Sequence, residues 1–297
     1  MNIVDFNNVH RAYTQDTDVL AGVSFSIEPG QVVGLLGKNG AGKTTLLRIA
    51  MGMIDPQQGS VSVFGLDPHS QPLEVKARVG YVSEEQILPV HLRVDQVIAL
   101  HKGIFPTWDD ELVSRMIERF SIPGRQKIKT LSKGQARQVA LLCAVAHRPE
   151  LLILDEPAGG LDPAARREFL ETSIQLLNET GTTILFSSHY MSDVERLADR
   201  IVMIHDGRVL IDTELDELRE NYSLALIQAN GRVSRDQVLR LDTCLGVRVR
   251  PDGLHAVFEM EPARVAELLD RQLSLGDAHC TRIALEEMFI ELAGGQG

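Results

Sequence analysis

This chain is constrained most strongly by residues 37–45, whose sequence is GKNGAGKTT. The stretch matches the pattern G-x-x-x-x-G-K-[ST], in which glycines let the backbone curl so that successive N–H groups face one anion. The largely apolar residues 31–36 before it predict a buried strand, and residues 44–53 after it predict a helix. A strand, a glycine-rich turn and a helix in this order predict a binding loop for the phosphates of a nucleoside triphosphate.

The residues of this loop have separate expected roles. The N-terminus of the following helix adds partial positive charge to the backbone N–H groups. Lys43 is expected to reach the β- and γ-phosphates, and the Thr44 hydroxyl is expected to hold Mg²⁺. Contacts to the nucleotide are expected from Gly37, Asn39, Gly40, Ala41, Gly42, Lys43, Thr44 and Thr45.

A pair of carboxylates, Asp155 and Glu156, follows the continuous apolar run 151–154. Such a run is typical of a strand that is covered on both faces. Asp155 is expected to hold Mg²⁺ through water, and Glu156 is expected to polarise the attacking water. Two adjacent carboxylates can instead form a helix cap and a solvated charge. The phosphate loop in the same chain favours the metal-binding and catalytic interpretation.

Three further segments lie in a fixed order around these two motifs. The sequence LSKGQ spans residues 131–135, GGLD spans residues 159–162, and SSH spans residues 187–189. Together with the phosphate loop and the sequence LLILDEP, they resemble the signature, D-loop and switch-histidine motifs of the ATP-binding-cassette (ABC) ATPases. The resemblance covers residues 1 to about 220.

The resemblance implies an ATPase that binds ATP and Mg²⁺. It implies that Lys43, Glu156 and His189 are catalytic. It also implies that Tyr13 stacks on adenine, although a loop tyrosine on its own more often serves plain packing. In this family two copies bind head to tail, and the signature of one copy reaches the γ-phosphate held by the other. Contacts of that kind are implied for Ser132, Gly134, Gln135 and Asp162. A simple helix cap is the alternative role for the signature serine.

The chain departs from the family pattern at a few positions. Glu84 occupies the place of a glutamine that usually contacts Mg²⁺ and water, and Gln86 follows two residues later. A glutamate can still bind Mg²⁺, but it adds negative charge near the γ-phosphate. We include Glu84 among the expected metal ligands. Gly159 replaces a common serine, and Lys133 replaces the usual glycine of the signature.

The resemblance implies an α/β fold, a P-loop NTPase of the ABC-cassette type with a RecA-like parallel sheet as its core. Residues 2–9 and 19–28 alternate roughly in polarity and predict two strands. The resemblance implies that they belong to an N-terminal antiparallel β subdomain. A polar loop containing Tyr13 is expected between these two strands. A helical subdomain that carries the signature is expected at residues 86–150.

A second domain is expected after the cassette. We place the boundary between an ATP-binding domain at residues 1–221 and a small α+β domain at residues 222–297. The second domain shows short strands alternating with helices and carries no motif that indicates chemistry. Residues 294–297 are expected to form a loose tail.

The composition and net charge of the chain limit which kinds of partner it can have. The net charge of −11 argues against a nucleic-acid partner. Polar residues interrupt the first segment, so no signal peptide is expected. The longest apolar run, 139–146, is too short to cross a bilayer. We therefore expect a cytoplasmic chain. The resemblance implies a separate permease that docks near residues 84–92 and holds the chain peripherally at the inner face of the membrane.

The direction of transport is suggested only by resemblance. Glu84, the LSKGQ signature and a C-terminal domain ending in LEEMFIEL together resemble the ATPases of bacterial exporters of drugs, peptides or lipids. The ATPase of a nutrient importer is the main alternative. An ABC ATPase acting on nucleic acid or ribosomes is a weaker one, because a single acidic cassette without sustained heptads does not fit it.

Overall fold

The computed structural model describes residues 1–14, 17–84, 88–178, 181–228 and 233–293. Gln86 and the expected tail at residues 294–297 lie outside the described residues. The chain forms two compact units, Met1–Asp212 and Thr213–Gly297. We describe each unit by itself.

The first unit contains two sheets, and its last strand runs into the second unit. The strands are β1 (Val4–Thr14), β2 (Thr17–Ile27), β3 (Val32–Leu36), β4 (Gln58–Val63), β5 (Val79–Val82), β6 (Leu151–Leu154), β7 (Thr183–Ser188), β8 (Arg200–His205) and β9 (Arg208–Glu214). The helices are α1 (Lys43–Ala50), α2 (Pro72–Arg78), α3 (Val94–Lys102), α4 (Asp110–Arg119), α5 (Lys133–Val145), α6 (Pro163–Asn178) and α7 (Met191–Leu197).

The N-terminal sheet is antiparallel, with strand order β2-β1-β4. The prediction of a polar loop around Tyr13 is wrong, because β1 continues through this residue to Thr14. Several register shifts between β1 and β2 interrupt the alternation of apolar and polar residues. Because of such bulges, a long strand cannot be recognised from the two-residue alternation of apolar and polar side chains. Tyr13 therefore projects from a strand that is paired on one side with β2.

The second sheet has the order β5-β6-β7-β3-β8-β9, and its central pairs are parallel. Every residue of β3, β6 and β7 is buried, as expected for parallel strands with helices on both faces. Parallel strands end at the same edge of a sheet. The segments that follow β3, β6 and β7 are therefore brought together at one edge, where such folds bind ligands.

The segment between β5 and β6 is helical, as the sequence predicts. It contains α3, α4, a 3₁₀ turn at Ile128–Thr130, and α5. Asp109 caps α4, since its carboxylate accepts a hydrogen bond from the Leu112 N–H group at 2.8 Å. The buried face of α4 contains Val113 and Met116, one helical turn apart. No helix in the described part of the chain is long and apolar enough to cross a membrane.

The second unit begins with α8 (Leu215–Asn221) and continues as an antiparallel sheet with helices. Its further elements are β10 (Ser223–Gln228), α9 (Arg235–Leu239), β11 (Cys244–Arg250), β12 (Gly253–Phe258), α10 (Pro262–Leu273), β13 (His279–Arg282) and α11 (Leu285–Ala293). The strand order is β11-β12-β10-β13, which is the split β-α-β-β-α-β arrangement, with α11 added at the end.

The unit boundary lies between residues 212 and 213, nine residues before the expected one. The difference corresponds to α8, which contacts β13 and so belongs to the second unit. Strand β13 is not predicted from the sequence, because its residues HCTR lack the apolar alternation of a typical strand.

Candidate functional site

The loop between β3 and α1 has the backbone that its glycines allow. Gly40 and Gly42 have φ angles of 85° and 101°, in the left-handed region that favours glycine. A Cβ atom at Gly42 would lie 2.7 Å from the carbonyl oxygen of Val19. A side chain at this position would therefore distort the start of α1, where the backbone N–H groups are available to an anion.

Lys43 opens α1, and its side chain is only 6% exposed. The ammonium donates hydrogen bonds to the carbonyl oxygens of Gly37 at 2.7 Å and Lys38 at 3.3 Å. It also lies 3.4 Å from Glu156 Oε1. A buried ammonium is stable only when it is paired in this way. The cation is thereby held at the mouth of the loop.

Asp155, at the end of β6, is almost fully buried and accepts two hydroxyl hydrogen bonds. Thr44 Oγ1 donates to Asp155 Oδ1 at 3.0 Å, and Ser187 Oγ donates to the same oxygen at 2.8 Å. Burial raises the pKa of Asp155, while the hydrogen bonds from Ser187 and Thr44 lower it. A hydroxyl and a carboxylate at the same place form the hard oxygen donor set that suits Mg²⁺.

The structure describes no group of three or more His, Cys, Asp or Glu side chains that would hold a metal by themselves. Proteins usually bind Mg²⁺ through one or two carboxylates together with substrate phosphates and water. Glu84, the third expected metal ligand, is exposed and lines the same cleft as Thr44.

Glu156 follows Asp155 and has an unusual backbone, with a φ angle of 45°. Its side chain is 9% exposed. His189 Nδ1 lies 2.9 Å from Glu156 Oε2. The other oxygen, Oε1, is buried without a hydrogen-bond partner and faces the Lys43 ammonium. A carboxylate oriented by a histidine and a lysine, with one oxygen that accepts no hydrogen bond, has the arrangement of a general base.

These groups border one cleft of about 430 Å³. The residues that line it are Tyr13, Val19, Lys38, Asn39, Gly40, Gly42, Lys43, Thr44, Thr45, Glu84, Glu156 and His189. Tyr13 is 56% exposed, its hydroxyl lies 3.3 Å from Thr45 Oγ1, and the Arg11 guanidinium lies 5.4 Å from its ring centroid. Its position leaves a ring face available to an aromatic base.

Of the other expected loop contacts, Gly37 and Ala41 are not among the residues that line the cleft. The Gly37 carbonyl oxygen accepts a hydrogen bond from Lys43. Ala41 is buried, and its N–H group donates to the Lys38 carbonyl oxygen at 3.1 Å. These residues shape the loop from within.

The signature residues do not join this cleft. Ser132 Oγ accepts a hydrogen bond from the Gln135 N–H group at 3.1 Å, and the Gln135 side chain accepts from the Ser132 N–H group at 3.0 Å. This capping box opens α5. Asp162 likewise caps α6 by accepting from the Ala165 N–H group at 3.0 Å. Neither these residues nor Gly134 are among those that line the cleft.

Two residues near the carboxylates were not identified from the sequence. Ser187 donates to Asp155 and accepts from the Glu156 N–H group at 2.9 Å. Arg137 of α5 is 8% exposed and donates to the carbonyl oxygen of Glu156 at 3.0 Å. The available signals were a serine next to the last residue of a buried strand and an arginine one turn before the apolar Leu141.

Comparison with known proteins supports one family. A family model described as ABC transporter matches residues 20–159. The linearmycin resistance ATP-binding protein LnrL of Bacillus subtilis (strain 168) is 36% identical, over 70% of this chain and 68% of that protein. The chain belongs to the ABC transporter ATP-binding proteins.

Two other matches agree with this. The Nod factor export ATP-binding protein I of Burkholderia orbicola (strain AU 1054) is 36% identical, over 70% of this chain and 70% of that protein. A solved structure titled as the ATP-binding subunit of an ABC transporter matches with a TM-score of 0.65 and 28% identity, over 73% of this chain and 92% of that one. The chain is therefore an ATP-binding subunit of an ABC transporter, and its cassette is an ATPase.

Proposed function

We propose that this ABC ATPase powers export through a separate membrane permease, as a head-to-tail pair of identical chains. Support for the pair comes from the cleft. It contains the phosphate loop, Glu156 and His189 but lacks Ser132 and Gly134. The N-terminus of α5 is exposed at Ser132, where it is available to a phosphate held elsewhere. An ATP site completed by the α5 N-terminus of a second copy accounts for both observations.

Each side chain then has a role in hydrolysis. Lys43 and the loop N–H groups bind the phosphates, and Thr44 and Asp155 hold Mg²⁺, with Glu84 at the rim of the same cleft. When bound, Mg²⁺ neutralises charge that develops on the phosphate oxygens. Glu156 orients the attacking water and accepts its proton. His189, 2.9 Å from Glu156, fixes the carboxylate. Tyr13 stacks on the adenine.

Closure and opening of the pair drive the permease. ATP favours the closed pair because both copies contact it, and hydrolysis removes that differential contact. Asp162 caps α6 in its own chain. We assign it, with Gln135, to the surface that faces the second copy. The permease fixes the chain at the inner face of the membrane.

A mixing experiment tests the composite site. Lys43→Ala chains lack the ammonium, and Ser132→Arg chains carry a bulky cation at the start of α5. Each variant alone is expected to be inactive. An equimolar mixture is expected to regain at most about half of the wild-type rate per chain, since a mixed pair has one intact site. Recovery of full activity, or full activity of Ser132→Arg alone, would contradict the head-to-tail pair.

Export is favoured over import by relatives whose names describe export and resistance. Purification of the chain from detergent extracts is expected to recover a multi-spanning permease. ATP-dependent accumulation of substrate in inside-out vesicles with this permease would support export. Accumulation only in right-side-out vesicles would support import. Recovery of nucleic acid in place of a permease would contradict transport, and the net charge of −11 argues against that result.

A further inference from the structure

Arg137 lies inside the first unit, beside the backbone of Glu156. It is 8% exposed and projects from α5. Its Nη1 atom donates to the carbonyl oxygen of Glu156 at 3.0 Å and also to the carbonyl oxygen of Pro157. Its Nη2 atom donates to the carbonyl oxygen of Glu84 at 3.5 Å. One guanidinium therefore joins the segment after β6 to the segment after β5.

The residue that Arg137 contacts has a backbone that requires support. Glu156 is a non-glycine residue with a φ angle of 45°, a conformation that costs free energy unless neighbouring groups hold it. Its N–H group donates to Ser187 Oγ at 2.9 Å, and its carbonyl oxygen accepts from Arg137 and from the Gly159 N–H group. The peptide groups on both sides of Glu156 are thus fixed by hydrogen bonds.

The charge of the Arg137 guanidinium is also influenced by burial and by two nearby acidic residues. Burial lowers the pKa of Arg137, whereas the charges of Glu84 and Glu156 raise it. Arginine has an ordinary pKa far above 7, so the side chain remains a cation. The guanidinium is therefore attracted by both acidic residues, in addition to its hydrogen bonds to their carbonyl oxygens.

We propose that Arg137 is a positioning residue, which aligns the Glu156 carboxylate by holding its backbone in place from α5. This inference rests on the proposed role of Glu156 as the general base. An arginine suits the position, because a planar fork with several donors can reach the three carbonyl oxygens at once. A lysine ammonium at the same place can reach only part of this set.

The test uses the full-length chain with Mg-ATP and two substitutions of Arg137. Arg137→Met keeps much of the volume but removes every donor, and Arg137→Lys keeps the charge. A small displacement of a catalytic group costs roughly 10²-fold in rate, so we expect kcat to fall by about 10- to 100-fold in Arg137→Met. KM for ATP is expected to stay close to the wild-type value, because the phosphate loop is intact. Arg137→Lys is expected to be intermediate.

The matched control is Arg115→Met. Arg115 lies on α4 and is exposed. The Arg115→Met substitution removes an arginine from the same helical segment without changing a residue of the cleft. The kcat of this variant is expected to equal that of wild type. If Arg137→Met has wild-type kcat, or if KM rises while kcat stays constant, Arg137 does not position the base. If Arg137→Met does not fold, Arg137→Lys decides by the same criteria.

A double variant separates positioning from general structural damage. If Arg137 acts through the Glu156 carboxylate, adding Arg137→Met to Glu156→Gln should lower the residual turnover no further. A further fall similar to that of Arg137→Met alone would overturn the positioning role. Wild-type turnover in Glu156→Gln alone would instead refute the proposed function, so the two failures are distinguishable.

Discussion

Both units bury a carboxylate, but they surround it differently. In the second unit, Glu291 of α11 is 5% exposed and contacts two basic side chains. Arg250 Nη2 donates to Glu291 Oε1 at 2.8 Å, and His255 Nδ1 lies 3.2 Å from the same oxygen. In the first unit, Asp155 is 1% exposed, yet its hydrogen bonds come from the neutral hydroxyls of Thr44 and Ser187.

This difference suggests a structural role for Glu291 and a ligand-binding role for Asp155. Glu291 is neutralised within its own unit, so it pins α11 to the strands β11 and β12 that carry its partners. Within the described part of the chain, the side-chain hydrogen bonds to Asp155 come from neutral hydroxyls, and no basic side chain donates one to it. A buried charge that is not fully paired costs free energy, and proteins concentrate that cost where a metal or a substrate offsets it.

The largest effect that the comparison predicts is on turnover. Glu156→Gln is expected to lower kcat by about 10²- to 10⁴-fold, the usual contribution of a general base, while ATP binding is retained. Glu291→Gln is the matched control. It is expected to keep wild-type turnover but to lower the thermal midpoint by roughly 4–8 °C, because α11 loses a charged contact. Steady-state kinetics and thermal melts of both variants measure this contrast. Equal turnover in Glu156→Gln and Glu291→Gln would contradict the proposed difference between the two carboxylates.

Two tyrosines sharpen the same contrast. Tyr13 is exposed at the cleft, whereas Tyr222 of the second unit is 4% exposed and donates to Glu259 Oε1 at 3.2 Å. Burial raises the pKa of Tyr222 to about 12. Stacking of a base on an aromatic ring contributes about 1–3 kcal/mol, so Tyr13→Ala is expected to raise KM for ATP about tenfold. Tyr13→Phe is expected to leave KM unchanged.

The control for these variants is Tyr222→Phe. It removes a buried hydroxyl that has a partner, which costs about 1 kcal/mol of stability and leaves KM for ATP unchanged. If Tyr13→Ala binds ATP as tightly as wild type, Tyr13 does not stack on the base. Nucleotide titration of the three variants measures the effect.

The smallest effect concerns Asp155. Its folded-state pKa is raised by burial, so its contribution to stability is complete below the unfolded pKa and is lost as pH rises through the folded pKa. At pH 7 the buried charge therefore destabilises the nucleotide-free chain. Asp155→Asn is expected to raise the thermal midpoint by roughly 2–4 °C at pH 7, with the difference shrinking as pH falls.

The exposed Asp216 supplies the control. Its side chain is 90% exposed, and Asp216→Asn is expected to leave the midpoint and its pH dependence unchanged. A lower midpoint for Asp155→Asn at every pH would show that the carboxylate is fully compensated in the folded chain.

Local sequence determines much of the fold and part of the site. The phosphate loop is one continuous segment, and the two carboxylates directly follow β6. The residues of each motif are therefore within a few positions of one another in the sequence. The parallel core was predictable because buried parallel strands are continuous apolar runs, such as LLIL in β6. The fold class is confirmed by the family and by the solved structures.

The remaining features depend on contacts between distant segments. Ser187 and Arg137 lie 31 and 19 residues from Glu156, so their hydrogen bonds to its backbone appear only when the sheet and α5 are assembled. The strand around Tyr13 was missed because bulges break its alternation. The polar strand β13 is specified by its partner β10 and not by its own sequence.

The proposed composite site has one most direct test, the mass of Glu156→Gln in saturating Mg-ATP, measured by light scattering. Without hydrolysis, ATP is expected to hold two chains together, so the mass should be twice that of one chain. Adding Ser132→Arg should return it to the mass of one chain while ATP remains bound. A single-chain mass for Glu156→Gln with ATP bound would contradict closure by a second copy. If the double variant with Ser132→Arg keeps the mass of two chains in Mg-ATP, that result would also contradict closure by a second copy.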